Sequence, residues 1–389
     1  MTSIQKIILS YIKAYKKIDI NELSHIINEP STLISNEIKK LYSKDYFKKC
    51  DNGDLIISQN IFEEIKEWST WTNDSDPGDE FDYTNDYGII KGHNNYPIIL
   101  SVRQLRKILQ LAHIDIYHYH KFKIYTNGKK RIITAPGWNL KKRQKWILRF
   151  ILNNYTLPDC VHGFSPNKSI VTNALCHIKK NEIGCIDIED FFPSIKSEVV
   201  TNIFFKMGYT HKVALELTEL CTCDGELPQG APTSPMLANI ALTEFDNEIC
   251  NYANANQLTY TRYADDITIS GDKDINIHLE NVIDILLKYG FSQNMKKTHI
   301  SKGKKRKIVT GLIVSDKIKV KKSYKKKLRQ EIYYCKKYGI LQHLKNTGRT
   351  SAVNFKEYMY GKAYFVKMVE PEVGEKILKQ LDEIFSCGY

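Results

Sequence analysis

The chain has 389 residues, enough for two or three structural units, and a hydrophobic content of 42% that excludes wholesale disorder. Its net charge of +13 is most simply explained by binding to a partner that carries phosphate groups. No apolar run approaches the roughly 20 residues of a membrane span, and no signal-peptide pattern is present, so we expect a soluble cytoplasmic protein. Nine scattered cysteines without a CxxC pair predict free thiols.

Residues 1–71 predict a small domain of three helices followed by a β-hairpin. Asp19 is a candidate N-cap of the second helix, and Pro30 ends that helix. An Asn52-Gly53 turn between two apolar runs predicts the hairpin. This pattern is typical of a winged helix, a fold that binds duplex nucleic acid or docks other proteins, and the sequence leaves both roles open.

Residues 72–90 are a predicted linker, because residues 72–87 carry six acidic residues and no lysine or arginine. We interpret the segment as a solvated tether, although it would also suit folding back over an empty nucleic-acid groove. Residues 91–315 show mixed strand and helix patterns, and residues 316–389 are helical and rich in lysine.

Three aspartates are the candidate catalytic residues. Asp187 ends a short apolar run, and Asp265 with Asp266 lies at the tip of a predicted hairpin. Carboxylates placed together repel one another unless divalent cations neutralise them. Oxygen ligands without nearby histidine or cysteine predict two Mg²⁺ ions, with Mn²⁺ also fitting, that activate a hydroxyl and stabilise a leaving pyrophosphate. The sequence leaves open whether Asp266 binds metal directly.

These aspartates belong to three motifs in a fixed order. Tyr263-Ala-Asp-Asp266 resembles the YxDD box of reverse transcriptases, and Asp187 with the following Phe-Phe-Pro-Ser resembles their first palm motif. Between them, residues 227–239 resemble the QGxxxSPxLxN motif. The resemblance implies an α+β right-hand polymerase with fingers, palm and thumb, in which residues 91–315 form fingers and palm and residues 316–389 form a basic helical thumb.

Two further motifs resemble those of bacterial retron reverse transcriptases. Asn173-Ala-Leu-Cys-His177 is similar to their NAxxH element, and Val309-Thr-Gly311 is similar to their VTG element. The likeness covers roughly residues 100–385. In that family, these elements and the thumb help to recognise the RNA.

The resemblance assigns roles around the nucleotide. Gln229 and Gly230 would line the nascent base pair, where glycine permits close backbone approach. Phe192, five residues after Asp187, would exclude a ribonucleotide 2′-hydroxyl and so favour dNTPs.

Three basic residues would meet the triphosphate. Lys130 and Arg131 lie where the fingers present cations, and the arginine fork suits phosphate oxygens best. Lys297 lies where such enzymes bring a lysine near the leaving pyrophosphate.

Basic residues also dominate the C-terminal region. Residues 317–349 contain twelve lysines and arginines and one acidic residue, with tyrosines interleaved. This pattern predicts binding to the backbone of a nucleic-acid duplex. Three histidines lack ligand-spaced acidic or cysteine partners and are predicted to be packed or RNA-facing: His113, His118 and His120.

A retron enzyme primes DNA synthesis from a 2′-hydroxyl of its own structured non-coding RNA and yields branched RNA–DNA, often in anti-phage systems. The resemblance therefore implies that RNA, its DNA copy, dNTPs and an effector such as a toxin or nuclease as partners, and no membrane. Because the sequence leaves no room for an RNase H domain, we also expect template removal to need a host nuclease. Two alternatives remain: a reverse transcriptase of group II intron, diversity-generating or abortive-infection type, or a nucleoprotein scaffold restraining an effector.

Overall fold

The computed structural model describes residues 2–50, 53–58, 96–111, 118–126, 129–303, 305–348 and 354–386. The predicted linker at residues 72–90, the tip residue Asn52 and His113 lie outside this part of the chain. The molecule divides into two compact units, Met1–Leu157 with Asp190–Leu242 and Pro158–Glu189 with Thr243–Tyr389.

Helices and strands occur in separate runs along the chain, in keeping with the expected α+β class. The strands are β1 (Phe47–Lys49), β2 (Leu55–Ile57), β3 (Tyr119–Thr126), β4 (Lys129–Pro136), β5 (Glu182–Asp187), β6 (Thr259–Tyr263), β7 (Asp266–Gly271), β8 (His299–Lys302), β9 (Lys307–Val309), β10 (Leu312–Val314) and β11 (Ile318–Lys319). The α-helices are α1 (Ser3–Tyr15), α2 (Ile20–Ile27), α3 (Ser31–Ser43), α4 (Val102–Ile108), α5 (Trp138–Phe150), α6 (Ile170–Leu175), α7 (Phe191–Ser194), α8 (Ser197–Lys206), α9 (His211–Cys221), α10 (Ser234–Ala241), α11 (Thr243–Ala255), α12 (Ile275–Lys288), α13 (Lys322–Tyr338), α14 (Ile340–Asn346), α15 (Phe355–Val369) and α16 (Pro371–Ser386).

The N-terminal helices of the first unit follow the sequence prediction. The Asp19 side chain accepts hydrogen bonds from the amides of Asn21 and Glu22, both at 3.0 Å, so it caps α2 as expected. Strands β1 and β2 pair antiparallel, with Phe47 opposite Ile57. A shared core of fully buried side chains joins the three helices: Ile8, Ile12, Leu23, Ile34 and Leu41.

These helices also pack on a later part of the same unit. The His25 ring stacks on Phe205 of α8 with centroids 4.4 Å apart, and its Nε2 lies 2.6 Å from the Phe205 carbonyl. Elsewhere in this unit, β3 and β4 form a two-stranded hairpin. The amide of Thr134 in β4 donates to the carbonyl of Gln229 at 2.9 Å, which ties the hairpin to the segment before α10.

An antiparallel sheet in the order β6-β7-β5-β8 forms the first layer of the second unit. Helix α12 packs closely on it, because a Cβ at Gly184 of β5 would lie only 2.8 Å from Leu279 and 3.0 Å from Ile275. The register of β5 with β7 sets Asp187 directly opposite Asp266. The sheet therefore brings together two aspartates that are far apart in sequence.

A second core in this unit joins the sheet β11-β10-β9 to the C-terminal helices. The fully buried side chains include Leu328 of α13, Ala363 of α15 and Leu381 of α16. Lys325 pairs with Glu370 at 2.7 Å beside this core. Among the helices of the described chain, none is both long and apolar enough to cross a membrane.

Candidate active site

The carboxylates lie where β5 and β7 meet in register. Asp187 is 6% exposed, half-buried Asp265 precedes β7, and Asp266 opens that strand with an exposed side chain. The amide of Ile188 donates to the carbonyl of Asp265 at 2.9 Å, which fixes the turn to the end of β5. Two strand ends and one turn therefore hold the three aspartates beside one another.

The turn between β6 and β7 is held tightly from one side. Ala264 has a φ of 56°, a left-handed conformation that is uncommon for a residue with a side chain. Gly163 runs against it so closely that a Cβ there would lie 2.3 Å from the Ala264 nitrogen. Glycine is required at residue 163 because any side chain would displace the turn that carries Asp265.

A buried arginine supports the same turn from within. The guanidinium of Arg262 donates from Nη1 to the carbonyl of Ala264 at 3.2 Å. It also forms a two-pronged ion pair with fully buried Asp246, at 2.8 Å from Nε and 2.6 Å from Nη2. Burial alone would lower the pKa of Arg262, but the Asp246 carboxylate outweighs this and holds that pKa above its ordinary value. The sequence signal for this pair is a charged residue among the tyrosines and threonines of β6.

Lys297 neutralises Asp187 directly. Its Nζ lies 2.7 Å from each oxygen of the Asp187 carboxylate, and the Asn294 amide donates to the Asp187 carbonyl at 2.7 Å. Desolvation by the surrounding protein atoms, then repulsion from Asp265 and Asp187, raises the pKa of Asp266 to about 6 although its side chain still reaches solvent. The exposure of the Asp266 side chain means that solvent screens part of this repulsion.

The donor chemistry of these carboxylates fits divalent cations. Within the described residues, no three acidic, histidine or cysteine side chains already converge as a ready-made metal site. The Lys297 ammonium instead stands where a cation would sit on Asp187. Repulsion that raises the pKa of Asp266 is the repulsion that a bound ion removes, so Asp187, Asp265 and Asp266 suit Mg²⁺ or Mn²⁺.

The other predicted nucleotide-binding residues belong to the first unit. Arg131 is exposed on β4, while Lys130 lies in the same strand and its side chain is outside the described residues. Phe192 is half-buried in α7, with its ring 5.2 Å from that of Phe191. A Cβ on Gly230, where φ is 140°, would lie 2.9 Å from the carbonyl oxygen of Thr134. Glycine is therefore required at residue 230 because the backbone of β4 lies so close to it.

The NAxxH and VTG elements meet inside the second unit. The Asn173 amide donates to the Thr310 hydroxyl at 3.4 Å. His177 links the two strands of the YxDD hairpin, with Nε2 2.8 Å from Thr261 of β6 and Nδ1 2.7 Å from Ser270 of β7. Asn173 and His177 are fully buried, so the structure gives them a supporting role, whereas Leu175, Cys176 and Gly311 of these motifs are exposed.

Other predictions concern histidine and cysteine. His118 and His120 are both exposed, which rules out the packed interpretation for these two residues. The eight cysteines in the described part of the chain are free, as predicted. Sequence reasoning missed Gly163, Arg262 and Asp246. Gly163 and Arg262 contact the turn before Asp265 directly, and Asp246 acts on it through Arg262.

Comparison with known proteins places this site in a family. The model of the reverse transcriptase family (RNA-dependent DNA polymerase) matches residues 119–330, more than half of the chain. Retron Ec86 reverse transcriptase of Escherichia coli is 36% identical over 63% of this chain and 78% of its own length. Retron Se72 reverse transcriptase of Salmonella heidelberg is 35% identical over 57% and 62%, respectively. Retron Mx65 reverse transcriptase of Myxococcus xanthus is 29% identical over 68% and 64%.

The match over residues 119–330 defines the class, an RNA-directed DNA polymerase. With these relatives, the chain belongs to the bacterial retron reverse transcriptases. A structure of telomerase from Candida albicans is also similar over 96% of this chain and 81% of its own. Its TM-score of 0.41 and identity of 12% add nothing to the family assignment.

Proposed function

We propose that this protein copies part of a cognate structured non-coding RNA into DNA, starting from a 2′-hydroxyl of that RNA and producing branched RNA–DNA. The observation that carries the chemistry is the register of Asp187 opposite Asp266, with the Lys297 ammonium 2.7 Å from Asp187. This arrangement gathers the charge that phosphoryl transfer requires at the end of a rigid sheet.

The three aspartates are proposed to hold two Mg²⁺ ions. When bound, such ions favour ionisation of the attacking hydroxyl and stabilise the leaving pyrophosphate. The Lys297 ammonium contacts the Asp187 carboxylate in the described structure. We propose that Lys297 turns to the triphosphate when a metal ion takes its place on Asp187. Asp187 would then be free to bind metal, and Arg262 would hold the Asp265 turn in place through its hydrogen bond to the Ala264 carbonyl.

The first unit is proposed to supply the nucleotide contacts. Arg131 and Lys130 would bind the triphosphate, with the arginine fork matching two phosphate oxygens. Phe192 would exclude ribonucleotides, and Gln229 with Gly230 would line the base pair. We propose fingers and palm within residues 91–315, a thumb within 316–389, a linker at 72–90 and a winged-helix-like domain at 1–71.

The proposed partners are the non-coding RNA, its DNA copy, dNTPs and an effector protein such as a toxin or nuclease, in an anti-phage system. Support for the RNA partner comes from the retron relatives and from the basic α13. A cytoplasmic location belongs to the same proposal.

The test replaces Asp265 and Asp266 with asparagine and sequences the nucleic acid that copurifies with each protein. We expect branched RNA–DNA with the wild type and unextended RNA with the variant. Asp272→Asn, an exposed aspartate beyond β7, makes the same chemical change away from the turn and should leave the product intact. Branched DNA from the double variant would disprove the polymerase role, and random cellular RNA with the wild type would disprove the cognate RNA.

A further inference from the structure

A cavity of about 370 Å³ opens between α13 and α14, away from the three aspartates in sequence. Its size lies at the lower end of the roughly 300–1,000 Å³ typical of small-ligand sites. The lining side chains are aromatic, amide, acidic and basic, and those that matter here are Lys327, Glu331, Tyr334, Tyr338, His343 and Asn346.

One wall of the cavity is a series of nearly parallel rings. The Tyr334 ring is inclined by 29° to both Tyr338 and His343, with centroids 6.1 Å and 5.9 Å away. Tyr338 is 49% exposed, so part of its ring is open to solvent at this site. Flat aromatic faces of this kind stack on nucleobases of any sequence.

The innermost residue of the cavity wall offers a hydrogen bond. His343 is only 4% exposed, and its Nε2 has no hydrogen-bond partner within the described part of the chain. Leaving a buried polar atom unpaired destabilises the folded state. A ligand that carries both ring faces and polar edges would satisfy this nitrogen as well as the aromatic wall, which an apolar side chain would not.

The charge around the cavity favours an anionic ligand. Lys327 lines it, and the Lys337 ammonium lies 5.1 Å from the ring centroid of Tyr338. Both lysines belong to α13, whose length carries a large excess of basic residues over Glu331, its single acid. Phosphates on either side of a stacked base would meet these ammonium groups.

We propose that this cavity binds one unpaired nucleobase of a nucleic-acid strand, with Lys327 and Lys337 on the adjoining phosphates. The inference rests on the proposed function and adds to it a binding site for a single nucleotide outside the polymerase centre. Base edges would reach His343 and Asn346, while Tyr334 and Tyr338 would cover the ring face.

The test measures the contribution of one base to affinity. Labelled eight-nucleotide strands of uridine and of thymidine are compared with strands of the same length that carry one central abasic site. For the full-length wild type, we expect the abasic site to weaken binding by roughly 5- to 100-fold, the range for one stacked base. Tyr338→Ala should reduce that penalty to less than about 2-fold, because the stacking face is gone.

Two further proteins make the result specific. Tyr364→Ala removes a tyrosine of α15 that is 55% exposed and does not line the cavity, so its abasic penalty should equal that of the wild type. His343→Gln should change the preference among bases while retaining the penalty. A 4-thiouridine strand should crosslink within residues 327–347.

An equal abasic penalty in the wild type and in Tyr338→Ala, for both RNA and DNA strands, would overturn the inference. Crosslinks confined to other segments would overturn it as well. Primer extension by the same wild-type preparation separates the two proposals. If the wild type extends a primer but Tyr338→Ala leaves the abasic penalty unchanged, only the proposed base-binding cavity is rejected. If the wild type extends no primer, the polymerase function is rejected.

Discussion

At the scale of single residues, charge determines the properties of the candidate active site. Asp187 is neutralised by Lys297 at 2.7 Å. Desolvation, followed by the charges of Asp265 and Asp187, instead raises the pKa of Asp266 to about 6. Ionisation of Asp266 therefore costs the folded state more free energy than it costs the unfolded chain, and this cost is fully present above a pH of about 6. A bound divalent cation would remove this cost, because it neutralises the repulsion among the carboxylates.

The first prediction concerns metal binding without catalysis. Millimolar Mg²⁺ should raise the melting temperature of the wild type, and the Asp265→Asn/Asp266→Asn variant should show no such shift. Because the folded pKa of Asp266 is raised, Asp266→Asn should also stabilise the metal-free protein at pH 7. We expect a gain of about 1 kcal/mol after solvent screening.

Calorimetry and urea denaturation would check both effects, with Asp272→Asn as the matched control. An Mg²⁺ shift that persists in the double variant would place the ion elsewhere.

The second prediction concerns the buried histidine. Burial, followed by the charges of His162 and Lys180, lowers the pKa of His177 to about 3. The unfolded chain binds a proton near pH 6.5 and the folded chain does not, so stability should fall as the pH drops from about 6.5. Each pH unit below that value should cost up to about 1.4 kcal/mol for this residue.

His177→Gln should be less stable at pH 7 and should depend less on pH. Urea unfolding at pH 7 and pH 5.5 would measure the difference between the two proteins. Identical pH slopes would show that His177 does not carry the effect.

At the scale of elements, the hairpin of β6 and β7 depends on its neighbours. Gly163 presses on Ala264, Arg262 holds the Ala264 carbonyl, and His177 joins the two strands. Motifs that are separate in the sequence thus act on one turn. Its position is set by packing in the second unit, because its own residues adopt an unfavourable backbone conformation at Ala264.

The third prediction follows from that close approach. Gly163→Ala places a methyl group 2.3 Å from the Ala264 nitrogen, so the Asp265 turn must shift. We expect the polymerisation rate to fall by at least about 100-fold, since displacements near 1 Å have that effect.

Gly361→Ala is the control, because a Cβ at this glycine of α15 meets nothing within 4 Å. Primer extension and Mg²⁺-dependent melting would be measured for both variants. Wild-type activity of Gly163→Ala would show that the turn does not need this contact.

At the scale of the whole molecule, the net charge of +13 is concentrated toward the C-terminal helices. Binding to RNA–DNA should therefore weaken steeply with salt, because cations on the protein release counterions from the backbone. The magnitude of the slope reports how many phosphates the protein contacts.

The fourth prediction uses exposed lysines to locate those contacts. Lys326→Gln on α13 should reduce the slope of log K against log salt by about 1, the effect of one lost phosphate contact. Lys273→Gln, in the loop after β7, removes an exposed lysine outside this helix and should leave the slope unchanged. Fluorescence anisotropy at several salt concentrations would decide, and equal slopes for both variants would argue against a grip by α13.

Sequence patterns alone predicted the family, which the comparisons confirm, and they singled out the three aspartates and the order of the N-terminal helices and hairpin. These depend on local patterns: Asp19 caps α2 because of its own side chain, and the motif around Asp265 is contiguous. Only the tertiary structure decided which residues support the site. Gly163, Asp246 and His177 reach the hairpin from distant segments, and such contacts depend on strand register and helix packing, which no local pattern encodes.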